Sequence, residues 1–161
     1  MRDLTLGATY ALIIAPFRVL QHLTTVDDQL RCLEVIARDL APNGRLVFDV
    51  FNPAFAKLVE ADGIEREDTP EQRLPDGRTF RRAWRVARVR WIDQVSESEL
   101  IYYVDGKRYV QAFEMRWYLA AELRHVLARA GFRVREMYGD FERGPVVDGC
   151  PELVVVAENA G

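Results

Sequence analysis

The chain has 161 residues, of which 49% are hydrophobic and 29% charged, enough apolar material for one domain with its own core. Its 22 basic residues are outnumbered by 25 acidic ones, giving a formal charge of −3, which argues against a dedicated nucleic-acid-binding protein. Cys32 and Cys150 lack the spacing of a zinc site and the density of a disulfide scaffold, so we expect reduced thiols in a cytoplasmic protein without a metal.

The first predicted elements are a strand and a helix. Tyr10–Ala15 is continuously apolar, which is typical of a central parallel strand that helices cover on both faces. The longer apolar run 10–20 is short and contains Pro16 and Arg18, so it predicts no membrane span. Thr25 can cap a helix that stops at residues 42–44. The apolar stripe of this helix consists of Leu30, Leu33, Ile36 and Leu40.

The next segments complete a βαβ unit and lead to antiparallel strands. Residues 45–51 have strong β composition and predict a second strand, whereas the polar stretch 61–76 predicts an exposed connection. Asp105-Gly106 is a hairpin turn between strands at 100–104 and 107–113, and residues 80–91 predict a third strand. We therefore expect an antiparallel segment at 64–116 within one domain at 1–161.

The last predicted elements return to the α/β pattern. Residues 117–130 have helical spacing, and Gly131 stands where a left-handed C-cap belongs. Strands are predicted at 132–138 and 153–157, on either side of a loop rich in glycine and proline.

Three short motifs in this order resemble class I S-adenosylmethionine (SAM)-dependent methyltransferases. They are Ala-Pro-Phe-Arg-Val-Leu-Gln-His-Leu at 15–23, Leu-Ala-Pro-Asn-Gly at 40–44, and Ala-Gly-Phe at 130–132. The resemblance covers essentially the whole chain and implies the carboxy-terminal half of a Rossmann-like sheet. The four core strands would be the family's fourth to seventh, in the order 4-5-7-6 with the seventh antiparallel, and the antiparallel segment would be the insertion of small-molecule methyltransferases.

Two features depart from the family. The Gly-x-Gly-x-Gly loop is missing from the 161 residues, and Ala11 stands where the family usually has an aspartate. The start Met1-Arg2-Asp3-Leu4 is similar to the loop after the family's third strand, so a fragment, a miscalled start and a natural truncation all remain open. The strand at 10–15 would then have an unpaired edge, which predicts a homo-oligomer or docking of a separate amino-terminal half.

The resemblance also implies a site. The backbone near Ala15 and Pro16 and the ring of Phe17 would border the methionine part of SAM, and Met1 and Arg2 would lie near its adenine. Gln21 would face either the cofactor crevice or the capping turn of the following helix. Core packing explains Phe17 equally well, and a frayed terminus is the favoured alternative for Met1. Methyl transfer depends mainly on alignment of the two reactants, so the site needs no metal or nucleophile. His22 is the candidate to orient or deprotonate a small-molecule acceptor, although a structural histidine at a helix entry explains it equally well.

Other polar residues have competing explanations. Arg116 and Tyr118 would help to line the acceptor pocket, or would simply pack at its rim. Asp49 lies in an apolar strand, so it must point to a strand end, a partner or the crevice, and a structural partner is the favoured expectation. Five arginines in the third antiparallel strand are expected to pair with glutamates on a solvated sheet face rather than with nucleic acid. They are Arg81, Arg82, Arg85, Arg88 and Arg90.

The sequence therefore predicts methyl transfer from SAM to an oxygen or nitrogen of a small molecule. The main alternative is a non-catalytic binding or dimerisation module, which the missing glycine loop favours. A third interpretation treats the antiparallel segment as a cup for a small ligand, and accessible side chains among Trp84, Tyr102 and Tyr109 would support it.

Overall fold

The computed structural model describes residues 7–59 and 63–160. Their contacts divide the chain into two units, one comprising the chain up to Ala54 together with the chain from Arg116, and the other comprising Phe55–Met115. The second unit contains most of the segment 64–116, and the interpretation as a single domain with an insertion stays a prediction. Among the described residues, no helix is long and apolar enough to cross a membrane.

The first unit contains a mixed four-stranded sheet and two main helices. In chain order its elements are β1 (Tyr10–Ala15), a 3-10 turn (Val19–His22), α1 (Val26–Asp39), β2 (Leu40–Phe51), α3 (Ala120–Arg129), β7 (Phe132–Tyr138) and β8 (Glu152–Asn159). The strands lie in the order β1-β2-β8-β7. β1 and β2 are parallel, and β8 runs antiparallel to both of its neighbours.

The start of α1 agrees with its sequence signal, but its end does not. The Thr25 hydroxyl accepts a hydrogen bond from the Asp28 N–H at 3.2 Å, which confirms the predicted cap. The helix ends at Asp39, and Leu40 pairs with Tyr10 in the sheet, so the placement of Leu40 on the helical stripe is wrong. The strand bulges before the register resumes at Arg45, which explains why the Pro-Asn-Gly signal looked like a helix stop.

The core of this unit lies on one face of the sheet, beneath α1 and α3. Alternate residues of β2 and β8 point toward the helices, since successive side chains of a strand face opposite ways. Helices and strands contribute to one contiguous cluster of buried side chains. Its members include Leu33, Ile36, Leu46, Phe48, Val50, Leu123, Leu127, Phe132, Leu153 and Val155.

The other face of the sheet is open among the described residues. β1 occupies the sheet edge, and Leu12 and Ile14 expose 50% and 58% of their surface. The prediction that β1 is covered on both faces is therefore wrong for the described residues: only its Ala15 end is buried. An open recess of about 330 Å³ lies on this face, between Leu12 and Tyr138.

The second unit is an antiparallel sheet preceded by a short helix. Its elements are α2 (Phe55–Val59), β3 (Arg66–Arg73), β4 (Thr79–Arg90), β5 (Val95–Val104) and β6 (Lys107–Arg116), and the strands pair in sequence order. Asp105 and Gly106 both have positive φ, as the predicted hairpin turn requires. Tyr109 is 54% exposed, whereas Trp84 and Tyr102 are half-buried.

β3 corrects the prediction of an exposed connection at 61–76. Polar composition and Pro70 suggested a loop, but β3 is an edge strand, where proline is tolerated because one row of N–H groups has no sheet partner. The pairing of β3 with β4 shifts register between Thr69 and Gln72, on either side of Pro70. Residues 61 and 62 of the predicted connection lie outside the described residues.

The arginines of β4 pair with acidic side chains, as predicted. Arg85 bonds Glu99 at 2.7 Å, and Arg90 bonds Glu97 at 2.9 Å and Glu114 at 2.8 Å. Arg82 bonds Asp68 on β3 at 2.9 Å. These bonds neutralise much of the positive charge of the strand, which removes the main reason to expect phosphate binding there.

The last helix is shorter than its sequence pattern. α3 begins at Ala120 rather than at Trp117, because Leu119 is still extended and serves as the N-cap. Gly131 has φ +81, which confirms the predicted left-handed residue after the helix. β7 agrees with the predicted strand, and β8 extends the predicted strand at both ends.

Candidate active site

The segment that follows β1 has an unusual backbone. Ala15 is buried at the end of the strand, whereas Pro16 is exposed and Phe17 exposes 92% of its surface. Phe17 and Arg18 both have left-handed conformations, with φ of 58° and 59°. Such a conformation costs a non-glycine residue on the order of 1–3 kcal/mol, so the surrounding structure must hold both residues in place.

Two buried carboxylates hold this segment. The Arg18 N–H donates a hydrogen bond to Asp49 Oδ2 at 3.1 Å, which confirms the expectation of a structural partner for Asp49. The Arg18 guanidinium forms an ion pair with Glu152 at the start of β8, and its Cζ lies 5.8 Å from the centre of the Phe51 ring. These contacts join the segment to β2 and β8, so the exposed Phe17 ring stands on a backbone fixed from two sides.

A second aromatic ring, that of Phe141, comes from the loop between β7 and β8. Asp140 Oδ1 accepts hydrogen bonds from the N–H groups of Glu142 at 2.9 Å and Gly144 at 2.7 Å, which orders the turn around Phe141. An added Cβ at position 144 would lie 2.2 Å from Asp140 Oδ2, so a larger residue there would displace the carboxylate that orders the turn. Phe141 nevertheless exposes 69% of its surface.

The two rings line one cleft at the carboxyl ends of β1 and β2. It has a volume of about 340 Å³ and is lined by Pro16, Phe17, Arg18, Asp49 and Phe141. In open α/β sheets, ligands bind in the crevice beyond the carboxyl ends of the strands. The cleft therefore has the position, the aromatic walls and the single acidic group expected of a site for a small organic ligand.

Gln21 and His22 differ in their surroundings. Gln21 is wholly buried: its Nε2 donates to the Arg116 carbonyl at 2.8 Å, and its Oε1 accepts from the Phe51 N–H at 2.9 Å. The amide thus connects the 3-10 turn to the end of β2 and to the segment before α3. His22 is exposed at the end of the same turn.

The two residues predicted for the acceptor side adjoin each other. Arg116 bonds Glu122 in the first turn of α3, and its Cζ lies 5.2 Å from the centre of the Tyr118 ring. Both residues are buried, and Tyr118 belongs to the core cluster. Pro16 and Phe17 line the cleft, and Ala15 precedes them as the buried last residue of β1. Met1 and Arg2 lie outside the described residues.

The buried state of Tyr118 predicts a dependence of stability on pH. Desolvation raises the pKa of its phenol above the usual value of 10.0, against an opposing effect of the Arg116 charge. The unfolded chain therefore loses this proton at a lower pH than the folded one, so the contribution is complete below about pH 10 and declines above it. We expect the free energy of unfolding to fall by up to about 1.4 kcal/mol per pH unit from this group.

Urea unfolding of the wild type and of Tyr118→Phe between about pH 9 and pH 11 measures this contribution. The phenylalanine variant should have the shallower decline, because it lacks the ionising hydroxyl group. Equal slopes for both proteins would show that the Tyr118 phenol is not protected in the folded state.

Sequence reasoning missed Phe141, which lines the cleft, and Glu152, which pairs with Arg18. Phe141 lies in a loop, where no periodic pattern marks its direction, and Glu152 is at the first position of a strand whose predicted start was one residue later. The glycine at 144 beside Asp140 was the available signal for an ordered turn. No comparable signal connects Glu152 to Arg18, which is 134 residues away in the chain.

No protein-family model matches the chain, and no curated protein sequence matches it. Several solved structures match the chain. An S-adenosylmethionine-dependent methyltransferase from Clostridium acetobutylicum ATCC 824 superposes with a TM-score of 0.80 at 15% identity, over 99% of this chain and 62% of that one. The CcbJ methyltransferase from Streptomyces caelestis gives 0.75 at 23% identity, over 99% and 61%.

A third solved structure is SAM-bound CalS10, an amino pentose methyltransferase from Micromonospora echinaspora, with a TM-score of 0.69 at 22% identity over 96% of this chain and 61% of that one. The chain thus spans about three fifths of the length of the structures it matches. At these identities the likeness concerns the fold. The resemblance noted in the sequence is confirmed at that level: the chain has the class I SAM-dependent methyltransferase fold.

Proposed function

We propose that the chain is part of a SAM-dependent methyltransferase that acts on an oxygen or nitrogen of a small-molecule acceptor. The observation that carries the proposal is the cleft at the carboxyl ends of β1 and β2, where the Phe17 ring is 92% exposed on a fixed backbone. A core residue would not be held out in this way at such a cost in backbone strain. The likeness to methyltransferases over nearly the whole chain supports the same assignment.

The residues present fit one side of the cofactor. SAM would supply a methyl group on a positively charged sulfur, and the face of an aromatic ring such as that of Phe17 suits such a cation. Ala15, Pro16 and Phe17 would border this part of the cofactor. The sequence has no glycine-rich loop for the remainder, so we propose that another polypeptide segment supplies the rest of the site.

The other candidate residues take different roles in this proposal. Gln21 would position the segment from within the core rather than touch the cofactor, because its amide already bonds two backbone groups. His22 is exposed and would orient or deprotonate an acceptor. Arg116 and Tyr118 would support the acceptor side, and Met1 and Arg2 would adjoin the adenine.

The strand order supports a correspondence with the second half of the family's sheet. β1, β2, β7 and β8 would be the fourth, fifth, sixth and seventh strands, with the antiparallel strand between the fifth and the sixth. The sheet β3–β6 would then be the insertion at 64–116. Two buried, free cysteines, Cys32 and Cys150, support a cytoplasmic location.

Isothermal titration with S-adenosylhomocysteine, the demethylated product, tests the proposal. We expect saturable binding at one site, and Phe17→Ala should weaken it by about tenfold or more, because the ring loses apolar contact area with the ligand. Phe55→Ala is the matched control, since Phe55 is also exposed but does not line the cleft.

The contrary result is equally clear. If the folded wild type gives no binding heat, or if Phe17→Ala binds as well as the wild type, the cleft is not a cofactor site. A non-catalytic binding or dimerisation module would then replace the enzyme as the best interpretation.

A further inference from the structure

Asp49 has a degree of burial that is costly for a carboxylate. Only 5% of the residue is exposed, and among the described residues its one hydrogen bond comes from the backbone N–H of Arg18. No cationic side chain within residues 7–59 and 63–160 forms an ion pair with it. Burying a charge without a charged partner costs free energy, so this carboxylate is incomplete as it stands.

The positive charge of Arg18, whose backbone N–H bonds Asp49, already forms an ion pair with another carboxylate. The Arg18 guanidinium bonds Glu152, which is also buried at 8% exposure. Counting Asp49, Glu152 and Arg18 together leaves one negative charge at the cleft. Because that charge lies in a partly desolvated place, it attracts a cation more strongly than an exposed carboxylate would.

The walls of the cleft favour the same kind of ligand. Phe17 and Phe141 line it with rings that are 92% and 69% exposed. The face of an aromatic ring carries partial negative charge and attracts ammonium groups. An anion would be repelled by Asp49, and a neutral ligand would remove water from that carboxylate without replacing its hydrogen bonds.

We propose that this cleft binds the protonated amino group of a small molecule, with the ammonium N–H groups donating to Asp49 and the attached carbon atoms lying against Phe17 and Phe141. If the proposed methyltransferase function holds, that amine is the acceptor, which selects nitrogen over oxygen. The ammonium would first pass one proton to Asp49, because its nitrogen needs a free lone pair to form the new bond to carbon. Aromatic rings alone would bind any small organic cation. A hydrogen bond to Asp49 distinguishes a protonated amine from a sulfonium, because a sulfonium has no N–H group to donate.

The test is an NMR titration of the full chain labelled with ¹⁵N, following the backbone N–H resonances of Arg18 and Phe141. The probes are n-butylammonium, n-butanol as its neutral counterpart, and trimethylsulfonium. We expect saturable shifts with n-butylammonium and at least about tenfold weaker binding of the other two, because only the first can form a charged hydrogen bond with Asp49.

Variants identify the groups responsible. Asp49→Asn should weaken n-butylammonium binding by about tenfold while its side-chain oxygen still accepts from Arg18, and Glu34→Gln, which removes an exposed charge on α1, should change nothing. Phe141→Leu should weaken binding about threefold, because a leucine side chain lacks the charge distribution of the ring. Since Phe141 is exposed, that variant serves even if Asp49→Asn does not fold.

Three results would overturn the proposal: n-butanol binding as tightly as n-butylammonium, unchanged binding by both cleft variants, or tighter binding of trimethylsulfonium. The last result would mean that the cleft holds only the sulfonium of the proposed cofactor and not the amine of an acceptor. None of these titrations contains a cofactor. Failure of S-adenosylhomocysteine to bind therefore leaves the amine site testable, and failure of amine binding leaves the cofactor site untouched.

Discussion

Replacing Gln21 by leucine should lower the free energy of unfolding by about 2–6 kcal/mol. Leucine nearly preserves the volume, but it leaves the Phe51 N–H and the Arg116 carbonyl without the bonds that the amide now provides. A buried backbone group that loses its partner costs about 1–3 kcal/mol, and two groups are affected here. Urea unfolding followed by circular dichroism measures the change.

Gln29→Leu is the matched control for this substitution. Gln29 is also buried, but its amide has one bond to a backbone group in the structure, from Nε2 to the Leu23 carbonyl at 2.9 Å. We expect about half the loss of stability seen for Gln21→Leu. Equal losses for the two variants would mean that the bridge from Gln21 to Phe51 and Arg116 contributes nothing of its own.

A lysine at position 14 should abolish self-association of the chain. Within residues 7–59 and 63–160, no strand pairs with the edge of β1 that faces away from β2, and Ile14 on β1 is 58% exposed. We propose that two copies pair along this edge, because an apolar strand edge is a template for another strand. Each lysine placed there should cost about 1.4 kcal/mol or more, so two should raise the dissociation constant about hundredfold.

Sedimentation velocity over a range of protein concentrations is the measurement. The wild type should sediment as a dimer and Ile14→Lys as a monomer. Val147→Lys makes the same change in charge at another exposed position, in the loop before β8, and should sediment like the wild type. A monomeric wild type would exclude pairing of copies and leave a separate amino-terminal polypeptide as the partner of β1.

Much of the fold followed from patterns that act locally. Thr25, Gly131 and the turn at Asp105-Gly106 each determine the backbone within a few residues of themselves, and all three behave as predicted. The prediction for β3 was wrong because a polar edge strand has the composition of a loop. Only its pairing with β4 distinguishes the two. The placement of Leu40 on the helix was wrong because an apolar residue at the boundary between two elements fits a helix and a strand equally well.

The site was predictable only in part. The sequence pointed to Phe17 through the family resemblance, but neither its exposure nor the left-handed backbone could be derived from residue types alone. Gln21 seemed suited to a ligand, yet its surroundings are the backbone groups of Phe51 and Arg116. These contacts join positions 30 and 95 residues apart, and a single sequence carries no direct record of such distances.

The central position of β8 has a consequence for the order of folding. β2 pairs with β8 at positions such as Arg45 and Glu158, with the whole of Phe55–Met115 between them in the chain. Closing so long a loop costs conformational entropy before any contact repays it. The hairpins of the intervening unit need only neighbouring residues. We therefore expect these hairpins to form while the chain is still being synthesised. The hydrophobic surface of β2 should stay accessible to chaperones until β8 has emerged from the ribosome.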